Sequence, residues 1–192
     1  MSFGCPDRID EIDAVMKRAQ DNGVLMVVAA SNGGGLEGIS WPAKSDRVIC
    51  VHALDGYGNC SDFTPNPQRH SHNFAAPGIA IMGYWPVHLG MARRLMTGTS
   101  CAAPIVAGIV AVLLEFVRKY EAENGPLRHD AEVLKRLKGR QGMVKVLEKM
   151  IPKAQRNQYE FLSPWELLNA HDKRHDDHSR MNNILEALDS AG

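Results

Sequence analysis

Residues 97–104 read Thr-Gly-Thr-Ser-Cys-Ala-Ala-Pro, and an almost wholly apolar stretch follows them as far as Leu114. This pattern predicts a helix over Thr99–Tyr120 that is buried on most of its faces, because a helix that is apolar all round belongs inside a core. Ser100 would lie in the first turn, where unpaired backbone N–H groups and the positive end of the helix dipole can stabilise an oxyanion on a bound carbonyl. Taken alone, a serine there is more often a simple helix cap.

A second apolar stretch lies about 70 residues upstream, at Val24–Ala30, and is apolar on both of its alternating faces. That pattern is typical of a strand in a parallel sheet that helices cover on both sides. The strand leads to Asn32, whose side-chain amide can donate a hydrogen bond at the carboxyl edge of the sheet, where ligands bind in open α/β folds. An asparagine beside glycines is by itself most simply a turn residue. The two motifs together favour one shared site.

The rest of the first 120 residues indicates an α/β fold, with a parallel sheet and helices on both of its faces. The spacing of apolar residues predicts a helix over Pro6–Gln20, just before a glycine that can end it. We expect a loop over Ser31–Asp46, with no helix beginning at its glycines, and an irregular segment with short extended pieces over Asp55–Gly78. Further strands are predicted at Val48–Ala53 and Ile79–Trp85.

The composition changes after Tyr120, where short charged amphipathic patterns replace the apolar ones. We place a boundary near Gly125-Pro126, which divides the chain into residues 1–124 and a small α-helical tail at residues 125–192. Helices of the tail are predicted at Asp130–Lys138, Gly142–Met150, Pro164–His171 and Arg180–Leu188.

Two motifs carry a likeness to the subtilisin-like serine proteases. Gly98–Pro104 resembles the G-T-S-x-A-x-P serine motif of that family, and Val27–Asn32 resembles the strand that ends in its oxyanion-hole asparagine. Three more segments resemble parts of the family. Ser2-Phe3-Gly4 resembles the S-x-G segment that pairs with extended substrate, and Trp41-Pro42-Ala43 resembles the aromatic-Pro-Ala segment beside the specificity pocket. Ala76-Pro77-Gly78 resembles an A-P-G turn. The likeness covers about Ser2–Tyr120, and it implies a cis bond before Pro42.

The resemblance implies the chemistry of a serine endopeptidase, a hydrolase that works by acyl transfer. Ser100 would be the nucleophile, Asn32 and the Ser100 backbone N–H would bind the oxyanion, and Thr99 would support Asn32 by a further hydrogen bond. Peptides or proteins would be the substrates, and the chemistry calls for no cofactor and no metal. The residues that the resemblance places against substrate are Ser2, Phe3, Gly4, Ala30, Ser31, Gly33, Ser40, Trp41 and Thr99.

The main departure from the family concerns its catalytic aspartate and histidine. In the family these residues stand in D-x-G and H-G-T-H contexts upstream of the S-x-G segment, whereas this sequence starts at that segment. The histidines that precede Ser100 lie in no such context: His52, His70, His72 and His88. We therefore assign no general base, and we expect an N-terminal half with both residues to be a partner. Alone, the chain should be nearly inactive, and an unpaired sheet edge should make it fold poorly.

Two residues near the predicted site also depart from the family. Ser31 stands where most relatives have glycine, and we expect its side chain to narrow the specificity pocket. Cys101 follows the predicted nucleophile where methionine or alanine is usual, and its thiol is an expected site of oxidation.

Charge and composition argue against several classes of partner. Lys and Arg number 22 and Asp and Glu number 22, with a pI near 7.1. No net field therefore attracts nucleic acid or anionic lipid. The longest apolar run is about 14 residues, whereas a membrane-spanning helix needs about 20. Since the N-terminal residues do not read as a secretory signal, we expect either a cytosolic protein or a piece of a longer protein, in which a signal would lie in the missing half.

Three alternatives remain beside the peptidase interpretation. The chief one is a truncated or degenerate peptidase domain that serves as a non-catalytic binding or regulatory module. A phosphate-binding loop at Gly33–Gly35 is disfavoured because no G-K-[ST] sequence follows. A metal site within His171–His178 is disfavoured because Lys173 and Arg174 interrupt its histidines and carboxylates.

Overall fold

Four parallel strands form the central sheet. The computed structural model describes residues 1–69, 71–90, 92–125, 133–153, 158–168 and 176–190. The sheet contains β1 (Val27–Ala29), β2 (Ile49–Leu54), β3 (Phe74–Pro77) and β6 (Glu160–Phe161), hydrogen-bonded in the order β1-β2-β3-β6. A separate antiparallel pair contains β4 (Ile81–Tyr84) and β5 (Arg93–Met96). The helices of the described residues are α1 (Asp10–Asp21), α2 (Gly34–Glu37), α3 (Thr99–Asn124), α4 (Val133–Lys138), α5 (Arg140–Glu148), α6 (Pro164–Leu168) and α7 (Asp177–Asp189). The predicted α/β class with a parallel sheet is confirmed.

The long helix α3 packs along one face of the sheet and is buried on that face alone, whereas its apolar sequence predicted burial on most of its faces. Val106, Val110, Leu113 and Val117 recur at helical spacing and are buried with the apolar residues of β1, β2 and β3. Burial of each such side chain stabilises the fold by about 1.5–3 kcal/mol. The helix continues four residues past its predicted end and stops before Gly125, whose φ of 79° does not continue a helix.

Helix α1 belongs to the opposite face, so that both sides of the sheet are covered. Met16 is buried in one cluster with Val28. The helix begins at Asp10 rather than at the predicted Pro6, because the preceding chain is held extended. There the Cys5 N–H donates to the Trp41 carbonyl at 2.8 Å, and the Trp41 N–H donates back at 2.9 Å.

One local prediction differs from the structure. One helical turn, α2, begins among the loop glycines where no helix was expected, and the Gly34 N–H anchors it to the Phe63 carbonyl at 3.0 Å. The segment Asp55–Gly78 contains β3, which fits the short extended pieces expected within it. The strand predicted at Ile79–Trp85 is present as β4, and it pairs with β5 in a hairpin outside the parallel sheet.

The C-terminal tail shares the core of the sheet rather than forming one of its own. Leu137 on α4, Met143 on α5 and Ile184 on α7 are fully buried in the same cluster as Val110 of α3. The tail also supplies a strand, β6, that its helical sequence patterns did not predict. Pro126 lies outside the described residues, and the division into residues 1–124 and 125–192 stays a prediction.

The strand β6 joins the tail to the outer edge of β3, and His72 lies beside that junction. Its Nδ1 is 3.4 Å from Glu160 on β6 and 3.7 Å from Glu148 on α5. The hydrogen bond with Glu160 is the chief cause that raises the pKa of His72 above its ordinary value, partial burial and the nearby Arg140 act against it, and Glu148 adds to the rise. Protonated His72 therefore holds tail and sheet together.

This contact predicts a pH-dependent contribution to stability. Because the pKa of His72 is raised on folding, its contribution is fully present below pH 6.5, the value for the unfolded chain. It is lost as the pH rises through the folded pKa. We expect the difference in urea midpoint between the parent chain and His72→Gln to shrink between pH 6 and pH 8. A matched His88→Gln variant, which changes an exposed histidine, should show no such trend. A difference that stays constant with pH would contradict the assignment.

Among the described residues, Met1 alone pairs with the other edge of the sheet, at β1. The Met1 amino group donates to the Val27 carbonyl, and the Met1 carbonyl accepts from the Ala29 N–H at 3.0 Å. Beside this edge, an apolar groove of about 400 Å³ lies between the strand and α3, lined in part by Leu25 and Leu114. The expectation that this edge lacks a full neighbouring strand agrees with the geometry.

Helix α3 is long and apolar enough to cross a membrane if only length and composition are considered, with a mean hydropathy of 2.2 over its most apolar window. A helix at the centre of a core has the same composition. The packing of α3 against three strands places it in the core of the fold.

Candidate active site

A cleft of about 840 Å³ lies at the carboxyl ends of the strands and holds most of the predicted site residues. Nine of the eleven candidates line it: Ser2, Phe3, Gly4, Ser31, Asn32, Gly33, Ser40, Thr99 and Ser100. Asn32 follows β1 and Ser100 is the second residue of α3, so the packing of this helix on the sheet brings them together. The predicted placement of both side chains in one cleft agrees with this geometry.

The Asn32 side chain is held in a defined orientation by Thr99. Its Oδ1 accepts from the Thr99 N–H at 2.9 Å and from the Thr99 hydroxyl at 3.1 Å. The same hydroxyl also lies 3.1 Å from the Ser31 carbonyl. Since the oxygen is occupied, the Nδ2 of the exposed amide is the group left to donate towards a ligand. This arrangement suits the donor of an oxyanion hole.

Glycines at two positions allow this close approach. Gly98 has a φ of 146°, and a Cβ there would lie 3.0 Å from the Asn32 Nδ2. At Gly78 a Cβ would meet the Ala53 Cβ at 2.4 Å and the Gly98 carbonyl at 2.9 Å. The Gly98 N–H donates to the Gly78 carbonyl at 2.8 Å, which links the A-P-G turn to the serine loop. Any side chain at either position would push the loop away from Asn32.

Ser100 is exposed at the start of α3, as its sequence motif predicts. Pro104, four residues later, has no N–H to donate to the Ser100 carbonyl, so this carbonyl is left without its helical partner. The Ser2 hydroxyl lies 3.5 Å from it and forms a weak contact between the N-terminal segment and the helix.

The segment Ser2–Gly4 offers open backbone groups along the cleft. None of its N–H or C=O groups has a backbone partner among the described residues. The chain on either side is held, at Met1 by the β1 edge and at Cys5 by Trp41. A short extended segment with free backbone groups is suited to pair with an extended peptide.

Two candidate residues lie behind the cleft rather than on its surface. Ala30 is fully buried, and Trp41 is 7% exposed in the cluster below α1, with an indole N–H that has no partner within the described structure. The Trp41–Pro42 bond is cis, as expected. Both residues can shape the cleft, whereas neither is among the side chains that line it.

Ser31 closes part of the cleft from within. Its hydroxyl donates to the Gly38 carbonyl at 2.5 Å, across the loop that contains α2. Its φ of 152° is one that residues other than glycine rarely adopt. The expected narrowing of the specificity pocket by Ser31 stays a prediction.

The sequence analysis did not identify the two charged side chains that line the cleft, Glu37 and Lys44. The carboxylate of Glu37 covers Gly33, because a Cβ at Gly33 would lie 2.1 Å from its Oε2. The sequence feature that could have pointed to Glu37 is that it is the sole carboxylate between Asn32 and Trp41. That residue could be placed in the cleft only once α2 was known.

No histidine is found among the described residues that line the cleft. His52 is buried in β2, where its ring lies edge-on to Tyr159 at 5.2 Å. Burial lowers the pKa of His52 to about 4, and the nearby Asn73 side chain opposes this shift. His72 contacts the tail, His88 is exposed in the hairpin, and His70 lies outside the described residues. The decision to assign no general base agrees with these positions.

No cluster of three potential metal ligands occurs in the part of the chain that the structure describes. Most of the disfavoured metal segment His171–His178 lies outside the described residues.

Comparison with known proteins identifies the family. The sequence profile of the Subtilase family matches residues 1–145. The chain belongs to the subtilase family. This match extends past the predicted boundary near Gly125 and includes most of α5.

Several subtilases are similar in sequence to part of the chain. The major intracellular serine protease of Bacillus subtilis (strain 168) is 34% identical over 128 residues, which cover 65% of this chain and 37% of that protein. Subtilisin DY of Bacillus licheniformis is 32% identical over 117 residues, covering 59% and 41%. The subtilisin-like protease het-Q2 of Podospora anserina is 30% identical over 112 residues, covering 57% and 31%. This subtilase chain thus spans well under half the length of these relatives.

Solved structures show the same fold. A PatG macrocyclase in complex with peptide has a TM-score of 0.61 and 22% identity, over 98% of this chain and 50% of that chain. The self-cleaved protease domain of PatA has a TM-score of 0.62 and 22% identity, over 96% and 60%. Both alignments include the tail, so the arrangement of sheet and tail recurs in other chains of this fold.

Proposed function

We propose that this chain is the carboxyl-terminal half of a serine endopeptidase, and that it supplies the nucleophile Ser100 and the oxyanion donor Asn32. The observation that carries the proposal is the pair of Thr99 hydrogen bonds that turn the Asn32 amide towards the cleft beside Ser100. Membership of the subtilase family supports peptidase chemistry. The aspartate and histidine would come from an upstream half.

In such an enzyme the Ser100 oxygen attacks the scissile carbonyl while the histidine of the upstream half takes the hydroxyl proton. The Asn32 Nδ2 and the Ser100 backbone N–H stabilise the negative charge that develops on the carbonyl oxygen. When the C–N bond breaks, the histidine donates that proton to the leaving amine. Water then attacks the Ser100 ester while the histidine takes a proton from the water. The histidine returns this proton to the Ser100 oxygen, and the carboxylic acid product is released.

The substrate would be an extended peptide. Its backbone would pair with Ser2–Gly4, whose N–H and C=O groups are open along the cleft. The side chain before the scissile bond would enter the space between Ser31 and Ser40. The Ser31–Gly38 bridge narrows that space.

The second candidate function is a binding module that has no catalysis. The observation that favours it is a cleft in which no described histidine lies near Ser100. Translation of the coding sequence upstream of the Met1 codon distinguishes the two. In-frame D-x-G and H-G-T-H segments would support the peptidase, and their absence would support the binding module.

Asn32→Ala should impair the extended protein that contains those segments. We expect kcat to fall by about 10²–10³-fold with KM little changed, which is the range known for one oxyanion donor in subtilisin, a relative of this chain. Steady-state hydrolysis of a peptide anilide measures both constants. Asn22→Ala, which changes an exposed asparagine at the end of α1, is the matched control. Equal activity of the two variants would remove Asn32 from the site.

A further inference from the structure

The β4–β5 hairpin has one face that the described structure leaves entirely uncovered. The pairing of Met82 with Leu95 and of Tyr84 with Arg93 puts these four side chains on one face, which we call the ribbon face. Met82 is 58% exposed, Tyr84 83% and Leu95 56%, and Arg93 is exposed as well. Large apolar side chains that are exposed together mark an interaction surface.

The hairpin is also strongly biased in charge. No aspartate or glutamate occurs between Asp62 and Glu115, whereas Arg93 and Arg94 stand next to each other on β5. The Arg93 guanidinium lies 5.3 Å from the centre of the Tyr84 ring, and that of Arg94 lies 5.0 Å from the centre of the Trp85 ring. Neither arginine forms an ion pair within the described residues.

The Arg93 guanidinium on the ribbon face is positioned to bind a carboxylate, whereas Arg94 pairs with Gly83 and lies on the opposite face of the hairpin. Stacking on the Tyr84 ring uses the flat face of the Arg93 guanidinium and leaves the N–H donors at its edge available. The arginine stem and the ring are already ordered, so less side-chain entropy is lost when an anion binds. The apolar residues beside Arg93 favour a partner that carries both acidic and apolar side chains.

The ribbon face is connected to the predicted nucleophile through β5. Only Thr97, Gly98 and Thr99 separate the end of this strand from Ser100. Arg93 is seven residues from Ser100, a path of at most about 23 Å in extended chain. No residue of the hairpin lines the cleft, so the hairpin lies outside it. In the proposed function, the part of the peptide before the scissile bond occupies Ser2–Gly4 and the space between Ser31 and Ser40, so the part after the scissile bond is the one left to reach the hairpin.

We propose that the ribbon face is a docking surface for the part of a polypeptide substrate that follows the scissile bond, and that it selects segments with carboxylates among apolar residues. This inference rests on the proposed function, because it takes Ser100 as the point of cleavage. A second copy of the chain fits less well, since a two-fold contact through this face would bring the Arg93 side chains of both copies together.

Fluorescence anisotropy with the full chain tests the proposal. The probe is a fluorescein-labelled octapeptide of alternating leucine and glutamate, and its controls carry glutamine or lysine in place of glutamate. We expect Arg93→Ala to bind the acidic probe at least about tenfold more weakly. Arg18→Ala removes the same charge from an exposed position on α1 and should bind as the parent does.

Three results would overturn the proposal. The first is equal affinity for the acidic and the lysine peptides. The second is equal loss of binding in Arg93→Ala and Arg18→Ala. The third is a preference for another partner through the same residues, seen as self-association that Tyr84→Ser abolishes, or as tighter binding to anionic phospholipid vesicles than to the peptide. Weaker binding at 300 mM than at 50 mM salt would support a charged contact.

The result is independent of catalysis. Ser100→Ala should bind the acidic peptide as well as the parent chain does, since the serine is outside the ribbon face. If the peptide binds but the extended protein never hydrolyses a substrate, the docking surface stands and the proposed peptidase function fails. If hydrolysis occurs but the acidic peptide does not bind, the docking surface alone is wrong.

Discussion

A fluorophosphonate probe should label Ser100 in this chain at least about 10³-fold more slowly than it labels the serine of a complete subtilase. The Ser100 hydroxyl is exposed, but no histidine lines the cleft among the described residues. A serine hydroxyl without a base is a weak nucleophile at neutral pH. Loss of the histidine in subtilisin, a relative of this chain, lowers kcat by about 10⁶-fold. The roughly 10³-fold slower labelling expected here is therefore a lower bound on the effect.

The rate is measured by mass spectrometry of the intact chain, with Ser100→Ala as the blank and a complete subtilisin as the reference. A second reference is the same chain extended upstream to include the aspartate and histidine motifs, in which labelling should become fast. Rapid stoichiometric labelling of the short chain would show that another group activates Ser100. Glu37 and Lys44, which line the same cleft, would then be the residues to change first.

Loss of one methyl-rich side chain in the tail should destabilise the whole protein. Ile184 on α7 is fully buried in the cluster that includes Val110 and Leu113 of α3. Ile184→Ala removes three carbons from this core and leaves a cavity, which costs about 2–5 kcal/mol. We expect a single unfolding transition at lower urea concentration, with the sheet and the tail lost together.

Fluorescence of the three tryptophans and far-ultraviolet circular dichroism together report on this transition, because Trp41 lies below the sheet and Trp165 lies on α6. Val112→Ala is the matched control, since Val112 is 61% exposed on α3.

Removal of residues 126–192 should prevent folding altogether. Two separate transitions, or a folded fragment of residues 1–125, would instead support the predicted division into two units.

The sequence predicted the central elements because their patterns are long and strong. The apolar residues that follow Ser100 predicted the helix α3 correctly but overstated its burial, which is confined to the side that faces the sheet. The apolar run that ends at Ala30 predicted a covered strand. Asn32 and Ser100 could be placed together because both follow elements that meet at one edge of the sheet. The role of Thr99 in orienting Asn32 followed from the resemblance and agrees with the observed hydrogen bonds.

The elements that were missed depend on contacts between distant residues. Strand β6 has two residues, and only pairing with β3 defines it. The hairpin partner β5, at Arg93–Met96, contains two adjacent arginines and lacks the alternation of a half-buried strand. Glu37 lines the cleft because α2 turns it back over Gly33. None of these features has a local pattern from which it could be predicted.

The pairing of β6 with β3 has a consequence for synthesis on the ribosome. Glu160 is the partner of Phe74, so about 86 residues must be added after Phe74 before β3 gains its outer neighbour. At about 5–20 residues per second, translation of that length takes about 4–17 s. For this time the apolar residues of β3 present an open strand edge on the nascent chain. A chaperone that shields this segment would therefore act before codon 160, and a slower ribosome would lengthen the interval in which the nascent chain can aggregate.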